Sequence, residues 1–545
     1  MSDLVTRASR SVRRRWTHAR SNAHIRRLNR QIAARAPKPA QQAAYTQPVI
    51  FFNASTRLAG LSLNAAYQMI AGWAVRLAGV PVIHFAPRHG MQPCVLGTNR
   101  DAPTEPPPCE ACIHQSEAIY AHSDTRWFTY QEDPALREAV ANCDVDALMG
   151  FTYEEIPLGA LVLPSMRWIL RRHHLKDDEP TRYLYRQYIL SAYNISREFG
   201  KLLNETNPRA VVVFNGMFYP EATARWMAWN RAPGGEPLRV ISHEVGLRPF
   251  TAFFTPGDAT AYPISMPERF TLTAEQEAKL DAYLERRMQG NFSMAGVRFW
   301  PEMRRLDDDF IRKIESFKQV VPVFTNVIFD TSQPHSNVVF PHMFAWLDGM
   351  LDLARRTPDT LFVLRAHPDE AREGKQSRES VAEWVQQRNA TAIPNVVFVD
   401  PKQYLSSYEL IERSKFVMVY NSTIGLEASL MGAAVLCAGR ARFTQIPTVF
   451  FPPTQEDHWR QAEEFLRAET IEIPETFRQN ARRFLYYQLY RTALPFDSFL
   501  EEDGIWNGYV KVKDLDASDF DPLNSPVLQT IVDGILHEGD FLLDT

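Results

Sequence analysis

Apolar residues in this chain gather into short, nearly unbroken runs of β-branched and aromatic side chains, each followed by a longer stretch with helical spacing. The first run is 49-VIFFNAS-55; a long apolar helix over 58–75 and a second run, 81-PVIHFAP-87, come after it. Further on, 209-RAVVVFNG-216, the helix 220-PEATARWMAWN-230 and 238-LRVISHEVG-246 repeat the pattern. Strands apolar on both faces belong to sheets covered by helices on each side, so this order predicts a doubly wound α/β domain. A second alternation starts at 319-QVVPVFTNVIFD-330. It runs through a helix at 343–355, 360-TLFVLRAHP-368, a helix at 379–388, 395-NVVFVD-400, a helix at 404–413 and 416-FVMVYNSTIGLEASLMGAAVLCAG-439. Five strands with helices between them predict a second Rossmann-like domain.

The fold class expected is α/β, with two Rossmann-like domains and a basic N-terminal arm. The arm and its linker take 1–45, the first domain 46–315, the second 316–470 and a helical or irregular extension 471–545. With 545 residues, 45% of them hydrophobic, the chain has material for two or three cores, since a single core stops growing near ~250–300 residues.

Charge adds a feature that the hydrophobic pattern hides. Residues 1–38 hold eleven Lys or Arg against the single acid Asp3, so the arm is +10 and the rest of the chain −14. Its apolar residues are scattered among arginines, unlike the core of a secretory signal, and a cytoplasmic location is expected. A basic amphipathic helix on an anionic membrane surface is one reading of the arm, placing the protein peripherally at the inner face. A solvated tail is the plainer reading, and no nucleic acid partner is expected. The most apolar long stretch, 58–75, is broken by Asn64, Gln68 and two glycines and runs into Arg76, so it reads as a buried helix and not a membrane span. Five cysteines are too few for a disulfide-built protein.

Candidate chemistry sits where apolar strands end in polar residues, the edge at which open α/β sheets bind ligands. In the second domain one strand delivers Arg365 and His367 and another delivers Asn421, Ser422 and Thr423. A helix starting near Ile424 would aim its first N–H groups at the same spot, which suits a phosphate. Gly425 would let a ligand approach the backbone, and Glu427 would accept hydrogen bonds from sugar or ribose hydroxyls. Asp330, read as the end of a strand, either orients a donor or starts a turn with Ser332 and Pro334. In the first domain, Glu221, His243 and Glu244 are the candidate general bases, each with a structural alternative: charging a helix start for Glu221, capping a strand for His243. Cys94, Cys109, Cys112 and His114 lie in a Pro-rich loop with spacing compatible with a structural zinc site; unligated thiols are the alternative.

The segments 363-VLRAHPDE-370 and 418-MVYNSTIGLEASLMGAAVLCAGRARF-443 resemble the paired His-Pro and Ser/Thr-x-Gly-x-Glu-Ala motifs of capsule polysaccharide biosynthesis proteins, bacterial glycosyltransferases of the GT-B type that include Kdo transferases. The resemblance covers about 316–470 well and the first domain only in plan. It implies two domains facing across a cleft, a nucleotide-sugar donor held by Arg365, His367, Ser422, Thr423 and Glu427, and a glycan or glycolipid acceptor on the first domain. It also implies that catalysis requires no cofactor or bound metal. The function expected is transfer of a sugar from a nucleotide-activated donor to a capsule or other surface polysaccharide. A polyol-phosphate transferase, a sugar-nucleotide epimerase and a non-catalytic sugar-nucleotide-binding component of a glycan assembly complex are the alternatives of the same architecture.

Overall fold

A computed structural model describes residues 2–37, 46–55, 60–288, 304–505 and 508–544. The first half of the chain gives β1 (Val49–Phe52), the two-residue β2 (Leu61–Ser62), β3 (Val82–Pro87), β4 (Asp124–Phe128), β5 (Ala210–Phe214), β6 (Arg239–Val245) and β7 (Thr251–Thr255). Then come β8 (Gln319–Phe324), β9 (Thr360–Arg365), β10 (Val396–Val399), β11 (Val417–Val419) and β12 (Val435–Cys437). Three short strands close the series: β13 (Leu494–Pro495), β14 (Leu500–Glu502) and β15 (Tyr509–Val512).

The first sheet has the order β13-β7-β6-β5-β1-β3-β4. The run from β6 to β4 is parallel throughout, and β7 and β13 add on antiparallel. Along β1 the side chains alternate between two cores: Val49 and Phe51 pack with the helix Leu63–Leu77, Ile50 and Phe52 with the helix Glu179–Thr206. The second sheet, β10-β9-β8-β11-β12, is parallel throughout. In each sheet the chain begins at an inner strand, builds to one side, then returns to the other. That reversal opens a crevice beyond β1 and β5 in one sheet and beyond β8 and β11 in the other. The molecule thus has two Rossmann-like domains.

Three features depart from the sequence pattern. The strand expected over 319–330 stops at Phe324, and residues 325–330 form a turn. Pro322 lies in this central strand. The Val320 carbonyl accepts the Lys415 N–H, so the hydrogen-bond donor missing at Pro322 faces β11, which pairs only with Val323 and Phe324.

Secondly, the N-terminal segment forms the helix Ser2–Arg35, and its later half is docked. Ile25, Leu28 and Ile32 make a stripe at helical spacing with no exposed surface, and buried Asn29 accepts the Trp73 indole N–H at 2.8 Å while donating to the Ile119 carbonyl. The side chains of Arg7, Arg10, Arg13, Arg15 and Lys38 lie outside the described residues.

Thirdly, residues beyond 471 are built into both halves. The helix Glu475–Tyr486 packs on Ile424–Leu430, β13 extends the first sheet, β15 pairs with β2, and the helix Pro526–Leu536 lies on Leu63–Leu77. No helix among the described residues is long and apolar enough to cross a membrane.

Candidate functional site

The crevice of the second sheet opens where β8 and β11 separate. Asn326, just past β8, accepts the Asn421 N–H through its side chain at 3.1 Å, and Thr325 accepts the His367 N–H at 3.2 Å. Two neighbouring strand ends are thus tied to the turn after β8. Around them lies a cavity of about 690 Å³ walled by Asp330, His367, Asn421, Ser422, Thr423, Arg440 and Arg442, and by Thr260 and Pro263 of the first half of the chain.

The His367 side chain caps the turn that follows it. Its Nδ1 accepts the Asp369 N–H at 3.2 Å, so the ring proton of the neutral form sits on Nε2 and is free to donate into the cavity. Burial lowers the pKa of His367, with Arg372 and Arg365 acting the same way and Asp369 and Asp330 opposing. It is therefore a neutral donor near pH 7 and not a cation. Asp330 accepts the N–H and hydroxyl of Ser332 at 2.9 and 2.6 Å, so it starts a turn while still lining the cavity. The Asn421 side chain is consumed by the loop wall, donating to Ser336 and accepting from Gln333.

The cavity's formal positive charge comes from two residues that strand-end reasoning passed over. Arg440 and Arg442 follow β12 by three and five residues, a little further past their strand than His367, which follows β9 by two. The Arg442 guanidinium lies 3.6 Å from the ring centroid of Tyr262, and Gln445 bonds the Tyr262 carbonyl and the Ile264 N–H at 3.0 and 2.8 Å. These contacts hold the 260–264 segment of the first domain over the cavity as a wall. His335 completes the wall beside Thr260, at 3.1 Å from its hydroxyl.

Other candidates lie elsewhere. Arg365 is 4% exposed and donates to the Leu405 carbonyl on the far side of β9, outside the cavity. Gly425 serves packing: a methyl group there would come within 2.9 Å of Val419 and 3.0 Å of Phe443, so the glycine lets its helix sit on β11. The Gly425 and Leu426 N–H groups are taken by the Ser422 and Thr423 carbonyls, so the helix start offers fewer free donors than expected. Glu427 is also outside the cavity. Its Oε1 accepts from Arg287 at 2.6 Å and its Oε2 from Tyr408 at 2.6 Å, leaving it as the centre of a buried polar cluster.

In the first domain, Glu221 sits at the crevice of its sheet, where its Oε1 accepts the Ala54 N–H at 2.9 Å. Burial pushes its pKa up to about 7. His243 is fully buried, neither ring nitrogen has a hydrogen-bond partner, and burial holds its pKa down to about 3; a ring stacked on Phe254 inside the sheet cannot reach an acceptor. Glu244, one residue on, points the other way and is half-buried. It accepts from Asn215 Nδ2 at 2.7 Å and the Val245 N–H at 2.9 Å, and its pKa is raised by burial and by Asp330 across the cleft.

Cys94, Cys109 and Cys112 line one small pocket beside Ser55 and Met91. His114 does not join them: it lies two residues past Cys112 on the helix Cys109–Ile119, about 200° around its axis, and is exposed. Among the described residues no three His, Cys, Asp or Glu side chains stand together so as to hold a metal ion, so the expected zinc set is not assembled.

Residues 294–464, under a third of the chain, match the family model described as capsule polysaccharide biosynthesis protein. That span contains both motifs that carry the resemblance. None of the curated proteins compared matches the chain. Among solved structures it is similar to the KpsC β-Kdo 2,7 transferase of Thermosulfurimonas dismutans, at 13% identity and TM-score 0.31 over 59% of this chain and 86% of that one. It is similar also to the KpsC β-Kdo 2,4 transferase of the same organism, at 11% and 0.35 over 60% and 87%. A sucrose-phosphate synthase from Thermosynechococcus elongatus matches at 13% and 0.28 over 81% and 94%. At such values these likenesses add nothing to the fold read from the strand orders themselves.

Proposed function

We propose that this chain, whose second domain carries the pattern of the capsule polysaccharide biosynthesis family, is a GT-B glycosyltransferase that moves a sugar from a nucleotide-activated donor to a surface-polysaccharide acceptor. The observation that carries this reading is the cavity at the β8/β11 crevice, lined by His367, Ser422, Thr423 and two arginines under a wall from the first domain.

Glycosyl transfer develops negative charge on the departing phosphate. Fixed donors and cations that meet it only as the bond breaks stabilise the transition state. Arg440 and Arg442 supply the charge, and His367 donates a directional hydrogen bond without the cost of an ionised ring. The acceptor hydroxyl needs a base, and Glu244 is the carboxylate of the first domain that feels Asp330 across the cleft. Held by Asn215 and the Val245 N–H, it keeps a fixed orientation and a raised proton affinity, as a general base working near neutral pH requires. The donor sits on the second domain and the acceptor on the first.

A thermal-shift screen against CMP-, UDP- and GDP-sugars tests the donor site. Stabilisation by one nucleotide class that disappears in Arg442→Ala and His367→Ala is expected; a folded protein that responds to none would refute the site. Turnover with an oligosaccharide acceptor then separates an enzyme from a binder, since donor binding without transfer would leave only a sugar-nucleotide-binding component.

A further inference from the structure

Next to Asp330, where the two domains meet, stands a second group of cations that the donor cavity does not use. Arg171 ends the helix Leu158–Leu170 with φ 58° and ψ 39°, a left-handed conformation that is strained for a non-glycine residue and persists only when its surroundings hold it. Its guanidinium lies 4.4 Å from the centroid of the Trp168 ring and 4.9 Å from that of Phe329, one aromatic from each domain. The side chain is 4% exposed. Its Nε has no hydrogen-bond partner, and no carboxylate among the described residues pairs with it. A buried guanidinium normally pairs with an anion, because leaving it unpaired forfeits its hydration without return. Aromatic rings compensate the charge but accept no strong hydrogen bonds, so the planar N–H edge still calls for an oxyanion.

The segment facing Arg171 from the second domain is basic. The Arg378 N–H donates to the Arg171 carbonyl at 2.8 Å, and Arg172 donates to the Arg378 carbonyl at 3.2 Å, so the two stretches lie side by side. Nearby carboxylates are committed: Asp101, beside Arg100, to Arg378; Asp369 to Arg372 at 3.2 Å; Asp330 to Ser332. Burial, and then Arg100, Arg372 and Arg378, bring the pKa of Arg171 down to about 10, with Asp330 alone pulling the other way. Like charges from both domains therefore press on one buried arginine, a stress that a bound anion would relieve.

We propose that this junction binds an anionic group, phosphate or carboxylate, carried by the acceptor, with Arg171 as the buried contact and Arg100 and Arg372 closing on it from the first and second domains. Only the word acceptor rests on the transfer reading; the anion site stands on the arginines. Because the site draws on both domains, its occupancy favours the closed cleft, and an acidic or phosphate-bearing acceptor would help assemble the site where it reacts.

Calorimetric titration at low salt with inorganic phosphate, and separately with glucuronate, tests this on the wild type, Arg171→Gln, Arg372→Ala and His367→Ala. Wild type is expected to bind at least one probe, Arg171→Gln to bind it at least tenfold more weakly, and His367→Ala to keep it; whichever probe binds names the group. Arg372 is more accessible than Arg171, so Arg372→Ala gives the same reading, with a smaller loss, if Arg171→Gln does not fold. Binding of neither probe by the wild type, or an affinity lost in His367→Ala but unchanged in Arg171→Gln and Arg372→Ala, would overturn the proposal. Titrating the nucleotide-sugar on the same samples keeps the two readings apart: a protein that binds phosphate at Arg171 and no nucleotide-sugar retains the anion site and loses the transferase.

Discussion

Arg287 and Glu427 form a buried ion pair across 140 residues of sequence, with Nη2 at 2.6 Å from Oε1 and the two side chains only 14% and 9% exposed. The carboxylate that the family motif places in the donor site is here neutralised by an arginine from the helix Ala274–Met288. Removing one partner leaves a buried charge alone, so Arg287→Ala is expected to destabilise the fold by about 3–5 kcal/mol, and the double variant Arg287→Ala/Glu427→Gln by less. Denaturant melts measure both. Donor affinity in Glu427→Gln is expected to stay at the wild-type value; a large loss would return Glu427 to the donor site.

Gly425 offers a parallel test of a motif residue. A methyl group at this position would press on Val419 and Phe443, and overpacking of this kind costs about 1–3 kcal/mol. Gly425→Ala should lower the melting temperature without changing donor affinity at temperatures where it is folded. A full-stability variant that fails to bind donor would show that the glycine makes room for a ligand after all.

On the proposed function, it is the neutral, Nε2-protonated form of His367 that meets the donor phosphate. One hydrogen bond to a charged phosphate is worth about 1.5–3 kcal/mol, so His367→Ala should weaken donor binding roughly ten- to hundredfold. His367→Gln, which can still donate, should recover part of it. Because its pKa is already below the usual value, donor binding should not strengthen as pH falls from 8 to 7, as it would if a histidinium held the phosphate.

Stability should peak near pH 6.5. Burial holds His84, His173, His243 and His458 down to about 3, so the unfolded chain binds more protons than the native one below the ordinary histidine pKa of 6.5, and stability falls as pH drops through it. Burial raises Glu221 to about 7 and Glu370 to about 8. For these two carboxyls the native state binds more protons, and the stability they contribute is present in acid and lost as pH rises through 7 and 8. Of these six groups, the four histidines outweigh the two glutamates between the ordinary glutamate pKa of 4.5 and 6.5, and above 6.5 the glutamates take over. Melting temperature against pH should show both limbs, with the alkaline one flattened in Glu370→Gln.

The strands of both sheets were legible because each is a compact run of apolar residues, and the polar residues at their ends located the β8/β11 crevice. Such reasoning works for residues near in sequence to the strand that presents them, as His367 and Ser422 are. It does not reach Arg440 and Arg442, which follow β12 by three and five residues where His367 follows β9 by two, because an arginine that far past a strand reads as an ordinary loop residue. The packing of Glu427 and Gly425 was not legible for a different reason. What occupies them, Arg287 and Phe443, is set by tertiary packing, and no local pattern announces it. Similarly, the stripe of Ile25, Leu28 and Ile32 was visible in principle, but the surrounding arginines masked it as a free arm.

The docking of β13, β15 and the helix Pro526–Leu536 onto the first sheet and its covering helix has a consequence for how the chain is made. During synthesis the second domain, continuous in sequence from β8 to β12, can be completed as soon as the helix Glu475–Tyr486 that covers Ile424–Leu430 leaves the ribosome. The first domain cannot: it waits with its β2 unpaired and the Leu63–Leu77 helix partly uncovered until the last fifty residues emerge. The half of the protein translated first is the half completed last, and in that interval it is the more exposed to chaperones and proteases.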